Sequence, residues 1–307
     1  MSDVIFIAAI ALKSSIAVLL AAIGEIFTER SGVLNLGVEG MMLIGAMTGF
    51  IIGYTTGSPL LAFSGAMAAG ALLALIHAVL CVHLQANQVI SGLAVTILGT
   101  GLSSFIGRPF IGRVGIRIET LSSDWISAVP LLGPILSQQT AIAIMALVLA
   151  PLAGYVLMHT SFGLNIRASG EDPKATDAAG VSVTAYRYGC TVFGGMMAGL
   201  AGAYLSLVYT PGWKENMAGG QGWIAIAMVI FSSWKPVRAL LGALIFGGLN
   251  ALQFYFQATG LELIPAYILR LLPYLMTLFI LFTATAMGKK TAGATPASLG
   301  KPFYRED

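Results

Sequence analysis

Charged side chains are scarce in this sequence, and their scarcity limits the kind of protein it can be. Asp, Glu, Lys and Arg make up 9% of its 307 residues, whereas hydrophobic residues make up 57%. Soluble domains carry about 25% charged residues, and the mean hydropathy here is +0.86. The composition excludes an ordinary soluble domain and predicts an all-α polytopic membrane protein. The net charge of +3 comes from few charges, which does not indicate nucleic-acid binding.

The motifs of several enzyme classes are missing too. The two cysteines, Cys81 and Cys190, lie in separate apolar runs, where buried thiols are a simpler interpretation than a disulfide. The sequence contains no G-x-x-x-x-G-K-[ST] motif for nucleotide phosphates and no H-E-x-x-H motif for zinc. We therefore predict no catalytic residue, no metal site and no cofactor bound by the chain itself.

A polar stretch, residues 163–187, separates two long apolar runs. It carries six charged side chains: Arg167, Glu171, Asp172, Lys174, Asp177 and Arg187. Such residues are costly in hydrocarbon, so the stretch is expected to lie in water. Pro173 favours the start of a helix and Gly180 favours its end, which predicts a short helix outside the bilayer. On residue types alone, an ordinary helical connection is the simpler interpretation.

Residues 24–47 place a second group of polar side chains close to membrane depth: Glu25, Glu29, Arg30, Asn35 and Glu39. Several glycines lie among them, which predicts a discontinuous helix that lines a cavity. The alternative is that Glu29 and Arg30 form a solvated pair at the interface and that the glycines only permit close packing. We prefer that alternative for the pair, but not for Asn35 and Glu39.

Two motifs resemble a known family. GEDPKATDAAG, residues 170–180, resembles the cytoplasmic coupling segment of bacterial ABC-importer permeases. ERSGVLNLGVEGMMLIGA, residues 29–46, resembles the signature of the branched-chain amino-acid, ribose and nucleoside permeases, and is closest to nucleoside and simple-sugar members. The resemblance implies an ABC-importer permease in the bacterial cytoplasmic (inner) membrane, with the short helix held in a cleft of an ATP-hydrolysing subunit.

The same resemblance implies the coupling residues and the partners. The residues expected to meet the ATPase are Gly170, Glu171, Asp172, Pro173, Ala175, Ala179 and Gly180. The expected partners are ABC ATP-binding subunits that hold ATP and Mg²⁺, a second and non-identical permease, and an external substrate-binding lipoprotein or periplasmic protein. The lipid bilayer surrounds the chain, and no nucleic acid is expected.

An internal repeat indicates two related halves. Pro59–Leu75 aligns with Pro236–Leu252 at an offset of 177 residues, with identical residues that include Gly70 and Gly247. The first copy follows an uncharged loop, whereas Lys235 and Arg238 begin the second, which favours opposite directions of insertion.

We predict one permease domain, residues 1–307, with about eight to ten spanning helices in two inverted-topology halves. Its parts are a first half at about 14–158, the coupling segment at 163–187, a second half at about 188–287 and a disordered cytoplasmic tail at 288–307.

Lys13 interrupts the first apolar run, Val4–Ile23. We expect it to end a short interfacial helix, with the span beginning at Ser14; the alternative is a functional site inside the membrane. The two alternatives place the N-terminus on different sides of the membrane, and the sequence does not decide between them.

Polar residues within the spans are the candidates for a substrate path: Asn35, Glu39, Gln221, Trp223 and Asn250. For each of them, packing between helices is an equal alternative. A nucleoside is the first candidate substrate, followed by a simple sugar such as ribose or a branched-chain amino acid. The rival functions are a secondary transporter or channel driven by an ion gradient and, last, an intramembrane enzyme.

Overall fold

The computed structural model describes residues 2–121, 133–258 and 295–304, and the single positions 275, 278 and 282. Within these residues the chain is helical and has no β-strand. Seven of the described helices are long and apolar enough to cross a membrane. The prediction of an all-α polytopic membrane protein is confirmed. The end of the predicted second half, from residue 259 onward, lies outside the described residues, apart from the three single positions.

The first half begins with four long helices. They are α1 (Ser2–Arg30), α2 (Val38–Thr56), α3 (Pro59–Ala78), which continues into a π-helical turn (Val79–His83), and α4 (Gln88–Gly107). The Asn87 side chain accepts hydrogen bonds from the N–H groups of Val89 and Ile90 and so begins α4. Helix α1 continues through Lys13 without a break. The prediction that a separate interfacial helix ends before Ser14 is therefore wrong, because the apolar residues on both sides form one helix.

A short helix, α5 (Gly133–Leu136), and a long one, α6 (Ala141–His159), complete the first half. The coupling segment contains α7 (Ser161–Glu171) and α8 (Pro173–Ala178). The helices of the second half are α9 (Val183–Tyr204, extended by a π-helical turn, Leu205–Tyr209), α10 (Gln221–Phe231) and α11 (Pro236–Ala258). Helix α8 is the short helix predicted after Pro173. Asp172 caps it, because its Oδ1 atom accepts the Ala175 N–H at 3.0 Å. Gly180 follows with a φ of +81°, which few other residues adopt.

Helices α1 and α9 lie side by side and run in opposite directions. The Arg187 side chain, at the start of α9, donates to the Ser31 carbonyl just after α1 at 3.2 Å. At the other end, the Tyr204 hydroxyl donates to the Lys13 carbonyl at 3.1 Å. Because each of these helices opens one half of the repeat, their opposite directions are those expected of inverted halves.

The third helix of each half packs against the first helix of the other half. Helix α3 packs along α9 of the other half, and α11 packs along α1. The aligned glycines take equivalent places in these contacts: Gly70 lies against Gly195 and Gly199 of α9, and Gly247 lies against Ala11 and Ser15 of α1. Small residues let the helix backbones approach closely. The internal repeat of the sequence thus corresponds to a repeat in the packing.

Residues 295–304, the C-terminal segment, pack against the end of the molecule that carries α8. The Ser298 N–H donates to the Gly170 carbonyl at 2.9 Å, and the Gly300 N–H donates to the Gly32 carbonyl at 3.3 Å. The Gln85 side chain donates to the Phe303 carbonyl at 3.1 Å. The structure therefore differs from the predicted disorder over these ten residues.

Candidate functional site

The chain folds back along α1 in residues 31–37, which we name the return loop. The Asn35 side chain donates to Glu25 Oε2 at 3.1 Å, and the Asn35 N–H donates to Glu25 Oε1 at 3.3 Å. Asn35 Oδ1 accepts the Gly37 N–H at 2.9 Å, just before α2 begins. Glu25 and Asn35 are both buried. The discontinuous helix predicted here is thus a break whose polar groups satisfy one another.

Helices α3 and α4 hold the other side of the return loop. The Leu34 N–H donates to Gln88 Oε1 at 2.7 Å, and the Leu34 carbonyl lies 3.1 Å from His77 Nε2. The Thr96 hydroxyl donates to the Leu36 carbonyl at 2.8 Å. Backbone outside a helix must find partners at membrane depth. Polar side chains that look isolated in the sequence therefore serve the backbone of this loop.

Helices α2 and α10 begin at the same point, and the Glu39 side chain joins them. Glu39 lies in the first turn of α2. Its carboxylate accepts the N–H groups of Gly220 and Gly222, at the start of α10, at 2.8 and 2.7 Å. A carboxylate is favourable at a helix N-terminus, and here one carboxylate serves two. A Cβ on Gly222 would lie 2.6 Å from the Glu39 Cα atom, so only glycine permits this approach.

The remaining path candidates lie in two places. Gln221 and Trp223 are at the start of α10, beside Glu39, and the Trp223 side chain is 39% exposed. Gln221 Oε1 is buried and has no hydrogen-bond partner within the described part of the chain. Asn250 lies on α11 beyond Gly247, which packs near Ala11 at the far end of α1. The structure therefore brings four of the five candidates close together and separates Asn250 from them. The four are Asn35, Glu39, Gln221 and Trp223.

Helix α8 and the residues on either side of it form an exposed surface. Glu171, Asp172, Ala175, Ala179 and Gly180 are exposed, and Pro173 is half-buried. Gly170, the other residue predicted to meet an ATPase, is buried instead. It lies against the Arg30 carbonyl, and its own carbonyl accepts the Ser298 N–H. Of the seven predicted coupling residues, five are thus exposed, Pro173 is half-buried and Gly170 is packed beneath them.

The chain is similar in sequence to known proteins. The family described as the branched-chain amino acid transport system permease component matches residues 6–281. The chain is 39% identical to the putative glucose ABC transporter permease protein TsgC13 of Haloferax volcanii, over 96% of each chain. It is 34% identical to the nucleoside ABC transporter permease protein NupC of Lactococcus lactis, over 89% of this chain and 90% of the relative.

The identity to the guanosine ABC transporter permease protein NupQ of Bacillus subtilis is 33%, over 94% of this chain and 92% of the relative. The chain belongs to this family of ABC transporter permeases. No solved structure matches it. The permease is a transport subunit, and the membership confirms the resemblance carried by residues 29–46 and 170–180.

Arg187 joins the α8 end of the permease to the return loop. Its guanidinium group donates to the Ser31 carbonyl, to Ser298 Oγ and to the Lys301 carbonyl, each at 3.2 Å. The side chain is 1% exposed. The sequence shows Arg187 only as a charge at the end of the polar stretch, and its partners lie more than 100 positions away. Sequence reasoning therefore missed its role.

Glu29 and Arg30 also differ from their expected place in the permease. Both are buried, at 1% and 8% exposure, rather than solvated at the interface. The Trp234 indole N–H donates to Glu29 Oε2, and Arg30 donates to the carbonyls of Ser233 and Trp234 at 3.4 Å. The interpretation as a solvated pair is wrong, because the loop before α11 folds over both side chains.

Proposed function

We propose that the permease forms, together with a second and non-identical permease, the membrane path for a nucleoside or a simple sugar. An external binding protein delivers the substrate, and separate ATP-binding subunits hydrolyse ATP with Mg²⁺ bound. The substrate class rests on the relatives, which are named for a nucleoside, for guanosine and, putatively, for glucose. All three substrates carry several hydroxyl groups on a sugar ring.

The observation that carries the proposal is the exposed surface of α8 together with its connections. Gly170 lies against Arg30 at the end of α1, and Arg187 joins the start of α9 to the return loop. A displacement of α8 would therefore be transmitted to the two long antiparallel helices, α1 and α9, and to the return loop, which leads to α2. In the mechanism we propose, closure of the ATPase pair moves α8, and the two halves exchange inward and outward opening.

The orientation follows from the charges at the α8 end. Lys174, Lys235, Arg238 and Lys301 are exposed there, and Arg30 contacts the loop that precedes Lys235. Short basic loops favour the cytoplasm. We therefore propose that α8 faces the cytoplasm and that the permease lies in the cytoplasmic (inner) membrane. The charges at the opposite end, Arg108, Arg113 and Arg117, are exceptions to the rule.

ATP-dependent uptake tests this function. Proteoliposomes would contain the permease pair and its ATP-binding subunits, with the binding protein added outside. Labelled nucleoside, glucose and leucine would be compared with and without ATP. We expect uptake of a nucleoside or a sugar only with ATP inside and with the binding protein present. Uptake by the permease without an ATPase would instead support the ion-gradient transporter or channel.

A bulky cation introduced beside α8 tests the coupling. Ala179→Arg places a bulky cation on the exposed face of α8, and Asp172→Asn leaves a residue that caps helices equally well. We expect Ala179→Arg to abolish co-purification with the ATP-binding subunits. Asp172→Asn should leave the permease folded, because asparagine caps a helix as well as aspartate does. Glu119→Lys, an exposed change at the opposite end, is the control. Normal ATPase binding by Ala179→Arg would contradict the coupling role of α8.

A further inference from the structure

The C-terminal segment, residues 295–304, is hydrogen-bonded to the end of α7, immediately before α8. The Ser298 N–H and the Ser298 hydroxyl both donate to the Gly170 carbonyl, at 2.9 and 2.7 Å. The Ala297 N–H donates to Glu171 Oε2 at 3.2 Å. The last carbonyls of a helix have no partner within it, and the C-terminal segment supplies the donors for Gly170. A displacement of α8 therefore acts directly on this segment.

The same segment is bonded to three further elements of the permease. Arg187, at the start of α9, donates to the Lys301 carbonyl at 3.2 Å. The Gly300 N–H donates to the Gly32 carbonyl of the return loop at 3.3 Å. The Gln85 side chain, between α3 and α4, donates to another carbonyl of the segment at 3.1 Å. The C-terminal segment therefore joins the end of α7 to both halves of the repeat.

Packing contacts and hydrogen bonds transmit movement in different ways. Gly170 lies so close to the Arg30 carbonyl, at the end of α1, that the space between them could not hold a Cβ. Such a contact resists approach, but it resists separation only weakly, because the attraction between a pair of packed atoms is small. The hydrogen bonds of the C-terminal segment resist separation. Alternating access needs both directions, because α8 must move and return in every cycle.

We infer that the C-terminal segment is a strap that makes the end of α7, the return loop and the start of α9 move as one body with α8. The inference rests on the proposed function, in which the ATP-binding subunits move α8. Ser298 is 7% exposed, so the strap is held from beneath. Asp172, Ala175 and Ala179 stay exposed with the strap in place. The strap therefore leaves the surface proposed to meet the ATPase uncovered.

Truncation of the chain tests the strap. A permease that ends at residue 294 lacks the segment, whereas one that ends at Tyr304 keeps its described contacts and is the control. Each would be purified with the ATP-binding subunits and used in the uptake assay described above, with ATP hydrolysis measured in parallel. We expect the permease that ends at residue 294 to retain these subunits and to hydrolyse ATP. It should transport at least about fivefold less substrate per ATP, the lower end of typical coupling between distant sites.

A smaller change separates coupling from folding. Ser298→Ala removes the hydroxyl that donates to Gly170, but it keeps the backbone N–H bond to the same carbonyl. We expect normal co-purification and a loss of about twofold or more in substrate transported per ATP, the lower end of the range for one hydrogen bond. Thr295→Ala, at an exposed position of the same segment, is the control and should behave as the wild type.

The results separate the strap from the function it rests on. Wild-type transport per ATP in both the permease that ends at residue 294 and Ser298→Ala would overturn the inference. Loss of the ATP-binding subunits on truncation would overturn it too, because the segment would then be a docking surface. An unfolded truncated permease with normal transport per ATP in Ser298→Ala would show a purely structural role.

An absence of ATP-dependent uptake by the wild-type permease would overturn the proposed function and this inference with it. Reduced transport per ATP, with normal co-purification and continued ATP hydrolysis, is the result that supports the strap.

Discussion

Replacing Glu39 by glutamine perturbs the junction of α2 and α10 with almost no change in shape. The two carboxylate oxygens accept one N–H each, from Gly220 and Gly222. A glutamine side chain offers one acceptor oxygen and one NH₂ group, so one of the two N–H groups faces another donor. The charge shared by the two helix starts is lost as well.

The magnitude follows from these two losses. A hydrogen bond to a charged group contributes about 1.5–3 kcal/mol, and a buried donor left without a partner costs about 1–3 kcal/mol. The loss of charge at a helix N-terminus adds about 0.3–1 kcal/mol. The lost bond and the unpaired donor concern the same N–H group and are counted once, so we expect Glu39→Gln to lower the free energy of unfolding by about 2–4 kcal/mol in all. For a chain of this size the melting temperature Tm should fall by roughly 5–15 °C.

The assay is thermal unfolding of the purified permease in detergent, measured together with uptake in proteoliposomes. Glu39→Asp keeps the charge but shortens the side chain, and it should lie between wild type and Glu39→Gln. Wild-type stability in Glu39→Gln with uptake abolished would refute the reasoning. Such a result would show that Glu39 contacts the substrate rather than joins two helices.

Three further predictions concern the α8 end of the permease. Arg187→Met removes the donors to Ser298 Oγ and the Lys301 carbonyl, so a protease should cut the C-terminal segment faster. Arg238→Met, at an exposed position, is the control. Equal cleavage rates in the two variants would count against the contact. Gly170→Val would bring its side chain against the Arg30 carbonyl and should lower Tm. Gly189→Ala is the control, because a Cβ at Gly189 meets nothing within 4 Å. A normal Tm in Gly170→Val would contradict this packing. Trp234→Phe leaves Glu29 Oε2 without its indole donor and should cost about 1–3 kcal/mol of stability. Unchanged unfolding of Trp234→Phe would show that the indole contact contributes nothing.

The elements of the fold could be predicted where local chemistry determines them. Pro173 and Gly180 mark α8 closely because one favours a helix start and the other a helix end. The identical residues of the two repeats, Gly70 and Gly247 among them, indicated equivalent helices, and these helices make equivalent contacts. Membrane spans follow from apolar length, which is a property of the sequence itself.

The junction at Glu39 could be predicted only in part. Its position at membrane depth marked Glu39 as exceptional, but its partners are backbone N–H groups of Gly220 and Gly222, which no residue pattern reveals. The C-terminal segment has the composition of a disordered tail. Its order comes from long-range contacts, above all with the side chain of Arg187. Interactions between distant segments are therefore what the sequence left out.

Labelling of a single cysteine on α8 tests the central claim most directly. Cys81 and Cys190 are both buried, so Ala179→Cys provides one exposed thiol on the described surface. A membrane-impermeant maleimide would be applied to cells and to inverted vesicles, with and without the ATP-binding subunits. We predict labelling only from the cytoplasmic side, and protection when the ATP-binding subunits are present. Labelling from the cell exterior, or equal labelling with and without these subunits, would contradict the account.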